Sequence, residues 1–492
     1  MPERFVQVRS MLLSCAVTAI ACAAGWINAV ARAEPASSAP AGEHTYLGVV
    51  ACARCHRAPT PEDKEANTGV ALTEYTTWST QDKHKDAYEV LLKPRAQRMQ
   101  QLLGYDVTKD GRCLSCHAVD CSSSKCDTSF VASRGVSCEA CHGPSSDWVD
   151  PHWKPGWRGL TAAQKESRGM RDVWNPKEQA KLCCSCHVGD AAQGKFVSHK
   201  MYAAGHPPLP SIELAAFMAQ MPPHWIPLED KPQEVRATYK NRLPTAPQSK
   251  MVVLGGAVAL EANLKLLVEH AKGGADPQRD WPELALYDCY ACHHELQMPS
   301  WRQARGYDGP PGRPTVRQWP LTASQVAFAK LEPSGSSISA VLEPFRNTLG
   351  ATPFGDRDEL AKAVASAPTT QGMARIAELI DAIAAAQFDA KASRDCLLTI
   401  SKLGEGNWDF DSARQLAWGF RAIYYDLHPR AENSEIDSIL DQLEQQLSLG
   451  ALKAGQDTSA KSLSIFDSRI GQFDPKAVQK LFSGLRKPLE AF

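Results

Sequence analysis

Beyond residue 34 this 492-residue sequence shows no apolar run that reads as long enough to cross a bilayer, so any span has to lie in its first thirty-odd residues. Neither sign of charge is in excess, with 54 Lys and Arg against 55 Asp and Glu. That balance suggests no nucleic-acid role, and no nucleic-acid partner is expected. Long regular segments are scarce up to about residue 300, where Gly and Pro are frequent. Cysteine is nearly missing from the far end, where Cys396 is alone after residue 293.

What the first part does contain is one pattern five times over. Cys52-Ala53-Arg54-Cys55-His56 is followed by Cys113-Leu114-Ser115-Cys116-His117 and Cys138-Glu139-Ala140-Cys141-His142. Cys183-Cys184-Ser185-Cys186-His187 and Cys289-Tyr290-Ala291-Cys292-His293 complete the set. With 16 Cys and 14 His, random placement would give roughly 0.015 such motifs. Two thiols at this spacing can add across the two vinyl groups of one haem, and the following histidine lies beneath the iron as its proximal ligand. A structural zinc site would want four ligands, usually as paired dithiols, without a histidine after every second cysteine. A thioredoxin-like dithiol would occur once, in a strand-to-helix turn. The expected cofactors are therefore five covalently bound c-type haems.

The N-terminus agrees with attachment outside the cytoplasm. Arg4 and Arg9 precede an apolar run from Met11 to about Val30, and Ala31-Arg32-Ala33 reads as a cleavage site. Residues 1–33 are expected to be a secretory signal, with an uncleaved anchor or a lipidated Cys22 as alternatives that also leave the body in the periplasm. Cys121 and Cys126, in the loop "CSSSKC", suit a short-range disulfide in an oxidising compartment. Cys184 and Cys396 read as structural thiols.

The chain is expected to be mainly α, with a haem-cored cytochrome domain of few regular strands at 34–300, a Pro/Gly-rich wrapping loop at 301–320 and an α-helical bundle at 321–492. Only 25 residues separate Cys113 from Cys138, which suggests that the second and third haems are near neighbours. A helix is expected from about Val252 to Lys272. In the tail, Leu416, Phe420, Ile423 and Leu427 share one helical face, with Asp411 as its cap. Ile376, Ile380, Ile383 and Gln387 mark another face, Gly450 closes a helix beginning near Ser434, and Asp474-Pro475 starts a further one.

Nine other histidines could supply second ligands to iron, and their number separates a low-spin carrier from a catalyst with an open iron. His84 lies in the helical stretch "TTWSTQDKHKDAYEVLL", His152 in "DWVDPHW", and His199 and His206 in "SHKMYAAGHPPL". These four are the candidate distal ligands. His294 and His44 are weaker candidates, and His224, His270 and His428 read as ordinary solvent or core histidines. Four candidates for five irons leave one haem undecided.

The stretches "YLGVVACARCH", "HKDAY", "CLSCH", "GVSCEACHGP" and "SHKMYAAGHPPLPSIE" resemble the cytochrome c-554 and c-prime family of multihaem cytochromes, related in haem arrangement to hydroxylamine oxidoreductase. The resemblance spans roughly residues 45 to 300. It implies periplasmic electron transfer, often in nitrogen-compound metabolism, with stacked haem pairs and, in one member, a haem without a distal ligand. It also implies distal roles for His84, His206 and His199. Five motifs instead of four, and the long tail, depart from that pattern. Neither the Cys-x-x-Cys-Lys motif of pentahaem nitrite reductases nor the eight haems of hydroxylamine oxidoreductases occur here.

The sequence thus reads as a periplasmic pentahaem cytochrome moving electrons between redox partner proteins. The alternative is a multihaem oxidoreductase with one open haem acting on a small nitrogen or sulfur species. The tail offers a means of docking onto a membrane or enzyme complex.

Overall fold

The computed structural model describes residues 44–492 except 67, 120, 122–124, 240–245, 274–281, 290–291, 294–315, 332–341, 344–356, 429–433, 448–472 and 491–492. The expected signal at 1–33, most of the wrapping loop, Gly450 and His294 lie outside these residues. From His44 onward the chain forms one compact unit. It is mainly α, as expected. Among the described residues the only strands are β1 (Thr45–Tyr46) and β2 (Lys125–Cys126), a parallel pair beside the Cys121–Cys126 disulfide.

The N-terminal part is built from short helices that end on cysteine motifs. The first motif begins in α1 (Val49–Ala53), and α2 (Glu74–Gln81) and α3 (Pro94–Leu103) follow. The second and third motifs occupy α4 (Gly111–His117) and α5 (Cys138–His142). The fourth closes α6 (Pro176–His187), after which come α7 (His199–Ala204) and α8 (Leu214–Gln220). Polar side chains start several of them: Asp110 accepts from the Arg112 N–H, Asn175 from Lys177 and Ser198 from Met201.

The core is organised by α9 (Pro247–Lys272). Every residue from Ser249 to Glu261 is buried, so the helix is covered on all its sides, and Val253, Leu254, Ala257, Leu260, Leu264 and Leu267 are all at most 1% exposed. A helix apolar all round has to be covered all round. This corrects the sequence reading, because α9 is long and apolar enough to span a membrane by length and composition. Yet 89% of its apolar stretch is buried inside the protein, which makes it a core helix. Each fully covered Leu or Val contributes about 1.5–3 kcal/mol relative to exposure.

Around α9 pack α6, α8, α10 (Trp319–Leu331), α11 (Ala367–Ala385) and α13 (Phe410–Leu427), with α12 (Ala390–Gly404) between α10 and α13. Haem-part and tail helices therefore share one core. Gly256 sets the α9–α10 approach, since a Cβ there would lie 2.9 Å from the Ala323 carbonyl carbon. Among the described residues the last two helices, α14 (Glu435–Leu447) and α15 (Pro475–Glu490), insert Leu443 and Phe482, both 0% exposed.

Several local expectations need correction. Asp409, not Asp411, caps α13: it directly precedes the first helical residue and accepts from the Ser412 N–H at 2.7 Å. Asp411 instead pairs with Arg414 at 2.8 Å. Gln387 falls past the end of α11, although Ile376, Ile380 and Ile383 are buried on it. His84 does not continue α2; Asp82 stops that helix and caps a 3-10 turn, Lys83–Asp86.

Candidate functional site

One helical turn puts residues i, i+3 and i+4 on the same side, which brings both thiols and the histidine of a motif together. The first and fifth motifs coil this way through bonds from the His56 N–H to the Cys52 carbonyl (3.0 Å) and from the His293 N–H to the Cys289 carbonyl (2.8 Å). At the third motif the turn stops at Gly143, whose φ of 84° is left-handed. A Cβ at Gly143 would lie 2.1 Å from the Gly169 carbonyl oxygen, so only glycine lets the 169–171 loop close over the motif.

Each motif histidine faces a second histidine from elsewhere in the chain. His56 meets His152 with 6.1 Å between ring centres, and His84 meets His187 at 6.4 Å. His117 pairs with His206 at 6.3 Å, His142 with His224 at 6.4 Å, and His199 with His293 at 6.3 Å. Two imidazoles on opposite sides of one iron, each with a metal–nitrogen bond of about 2 Å, would have centres about 6.3 Å apart.

His224 is the residue sequence reasoning passed over. It was set among ordinary histidines, whereas the structure aims it at His142. The signal was the segment Met221-Pro222-Pro223-His224-Trp225, which pairs a histidine with two prolines as His206-Pro207-Pro208 does. The weaker candidates have other neighbours. His44 bonds Asp147 at 3.0 Å, His270 packs on Phe196 and bonds the Leu266 carbonyl, and His428 lies against Tyr424.

The second ring nitrogens are tied down, which fixes orientation. The Nδ1–H of His117 donates to the Ala87 carbonyl (2.6 Å), that of His152 to Val149 (2.6 Å) and that of His206 to Pro207 (2.7 Å). His56 donates to Glu74 (2.8 Å) and His84 to Asp82 (2.9 Å). In all five Nε2 is left for a metal. Burial pushes His142, His187 and His206 down to about 4 and lowers His117 and His152, favouring the neutral form that ligates. His56 and His84 are raised, chiefly by the bonds to Glu74 and Asp82.

Eight of these histidines, those of the first four pairs, line one continuous cavity of ≈ 3330 Å³ together with the thiols of the first four motifs. An ordinary small-molecule pocket is about 300–1,000 Å³, so this space suits several large planar groups. The residues present fit haem on three counts: thiol pairs at vinyl spacing, opposed imidazoles at ligand distance, and a cavity between them.

The thiols also show which sites adjoin. Cys52 lies near enough to Cys138, and Cys116 to Cys186, for each thiol to shift its partner's ionisation, while Cys141 interacts electrostatically with Cys183 and Cys186. Tyr202 packs on His206 and interacts with Cys289. The sites therefore run first, third, fourth, second, fifth. The thiol contacts of the third site are to the first and fourth, and Cys186 of the fourth interacts with both Cys141 of the third and Cys116 of the second.

Glu139, inside the third motif and 0% exposed, holds the first site against the third. Its Oε1 accepts from the Leu47 N–H (3.0 Å), the Ser145 N–H (2.9 Å) and the Ser145 hydroxyl (2.6 Å). Its Oε2 accepts from the Gly48 N–H at 2.7 Å, immediately ahead of α1.

A helical fold whose cavity is lined by cysteine pairs and opposed histidines defines a c-type cytochrome, an electron carrier with covalently attached haem. Residues 51–143 match the family model described as cytochrome c554 and c-prime. The match covers the first three motifs; the fourth, the fifth and the helical tail lie beyond it. No curated protein and no solved structure matches the chain.

Proposed function

We propose that this protein is a periplasmic pentahaem c-type cytochrome that passes electrons between redox partner proteins in nitrogen-compound respiration. The observation that carries the reading is the set of five histidine pairs, one per motif, at the separation two axial ligands require. Cys52, Cys55, Cys113, Cys116, Cys138, Cys141, Cys183, Cys186, Cys289 and Cys292 would hold the five porphyrins. His56, His117, His142, His187 and His293 would ligate from one side, and His152, His206, His224, His84 and His199 from the other, in the same order.

Each bound haem would supply a one-electron Fe(III)/Fe(II) couple. The chain's part would be to offer each haem two histidine nitrogens, so that exchangeable ligands are kept out, and to set the attachment sites in a row. The Cys121–Cys126 disulfide supports a location in an oxidising compartment. Nitrogen-compound respiration is what the resemblance to the cytochrome c-554 and c-prime family implies, and the near balance of side-chain charge, made acidic by propionates, suits a basic redox partner.

The test is low-temperature EPR of the oxidised holoprotein with haem content measured on the same sample. Five haems per chain, all low-spin, is the expected result. A high-spin signal from about one-fifth of the haem would overturn it in favour of an oxidoreductase with one open iron.

A further inference from the structure

The five tied-down Nδ1 atoms divide into two chemical groups. At the second site both histidines donate to neutral backbone carbonyls, Ala87 for His117 and Pro207 for His206. At the first site His56 donates to the Glu74 carboxylate, and at the fourth His84 donates to Asp82.

Neither carboxylate is a passing surface contact. The Glu74 side chain is 19% exposed and its other oxygen is fixed by the Ala71 N–H at 3.1 Å. Asp82 is 8% exposed at its side chain, and its Oδ1 also accepts from the His84 N–H at 2.9 Å. A carboxylate only accepts, so the proton has to sit on Nδ1 and the Nε2 lone pair is left for iron. A negative acceptor draws on the N–H bond and makes the imidazole a stronger donor, which favours the more positive iron. In a partly dry site that effect is weakly screened.

We propose that Glu74 and Asp82 are potential-setting residues, acting through His56 and His84 to hold the first and fourth haems at lower potential than the second, whose histidines have only carbonyl acceptors. Reduced equivalents placed at the first site are then released into the row. This rests on the ligand assignment above.

Full-length holoprotein carrying Glu74→Gln or Asp82→Asn is titrated by optical spectroelectrochemistry, with EPR of each oxidised sample. Each substitution keeps an acceptor oxygen and removes the charge. One of the five reduction steps should move to higher potential in each variant, and the two variants should move different steps. The expected shift is at least a tenfold change in that haem's reduced-to-oxidised ratio at fixed ambient potential, about 59 mV for one electron. Glu74→Asp, which keeps the charge but withdraws it by one methylene, should move the same step in the same direction and by less. Unmoved steps with all signals still low-spin would overturn the tuning and leave the ligation standing. High-spin iron in the unaltered protein would overturn the ligation itself.

Discussion

Replacing Glu139 with Gln tests how the first two sites in the row are held together. The substitution leaves every motif cysteine and histidine in place. One side-chain oxygen becomes an NH₂ group. If the remaining oxygen keeps the Leu47 and Ser145 donors, the amide nitrogen faces the Gly48 N–H, a donor against a donor at a site that was bonded at 2.7 Å. Leaving that N–H unpaired in the interior costs about 1–3 kcal/mol, and exchanging a charged acceptor for a neutral one weakens the other three bonds by about 1 kcal/mol or more together. The sum is about 3 kcal/mol. Ser145→Ala removes only the hydroxyl bond and should cost about 1 kcal/mol. Urea unfolding of the holoproteins, followed by far-UV circular dichroism, gives both values from the midpoints if the slope is unchanged. Glu139→Gln within about 0.5 kcal/mol of the unaltered protein would refute the bracing role.

Three further outcomes follow from the same geometry. Burial pushes Glu213 up to about 7 against the bonds it accepts from the Ala216 and Ala215 N–H groups. The native state thus holds this proton more tightly than the unfolded chain, so its stabilising contribution is full below the ordinary value of 4.5 and is lost as pH rises to about 7. Over that window the loss is about 3 kcal/mol, and Glu213→Gln should flatten it; parallel midpoint-against-pH curves for the two proteins would count against the reading. Gly256→Ala should cost about 1–3 kcal/mol, since the new methyl meets Ala323 backbone on α10, and thermal unfolding would show it. His224→Ala should open the third site, giving high-spin iron in about one-fifth of the haem and binding of carbon monoxide to the reduced protein; an unchanged low-spin spectrum would mean that His142 has another partner.

The cofactor chemistry and the helical class were legible in the sequence because both are local. A cysteine motif is five consecutive residues, and its geometry is one helical turn whatever surrounds it. Helix starts were legible for the same reason, as at Asp474-Pro475, where Asp474 accepts from the Lys476 N–H. Errors of one or two residues, such as Asp411 for Asp409, arose because two carboxylates on either side of Phe410 can each cap and packing selects between them. α9 shows a different limit. Apolar residues on every side are compatible with lipid or with a protein core, and only the helices assembled around it decide.

The second histidines lay further from reach. His84 and His187 are far apart in sequence, as are His117 and His206, and no periodicity links them. Sequence context selected His84, His152, His199 and His206 from their neighbours, yet gave no means of assigning them to motifs. It passed over His224, whose partner His142 is reached only when the "MPPHW" segment folds back over the third motif. The order of the sites and the brace at Glu139 likewise depend on residues remote in sequence being pressed together. By itself the sequence determined what binds, since covalent attachment and a proximal ligand need only one turn of helix. Tertiary structure decided which second histidine each motif histidine faces and which thiols adjoin, because both are positions in space that the packed core alone supplies.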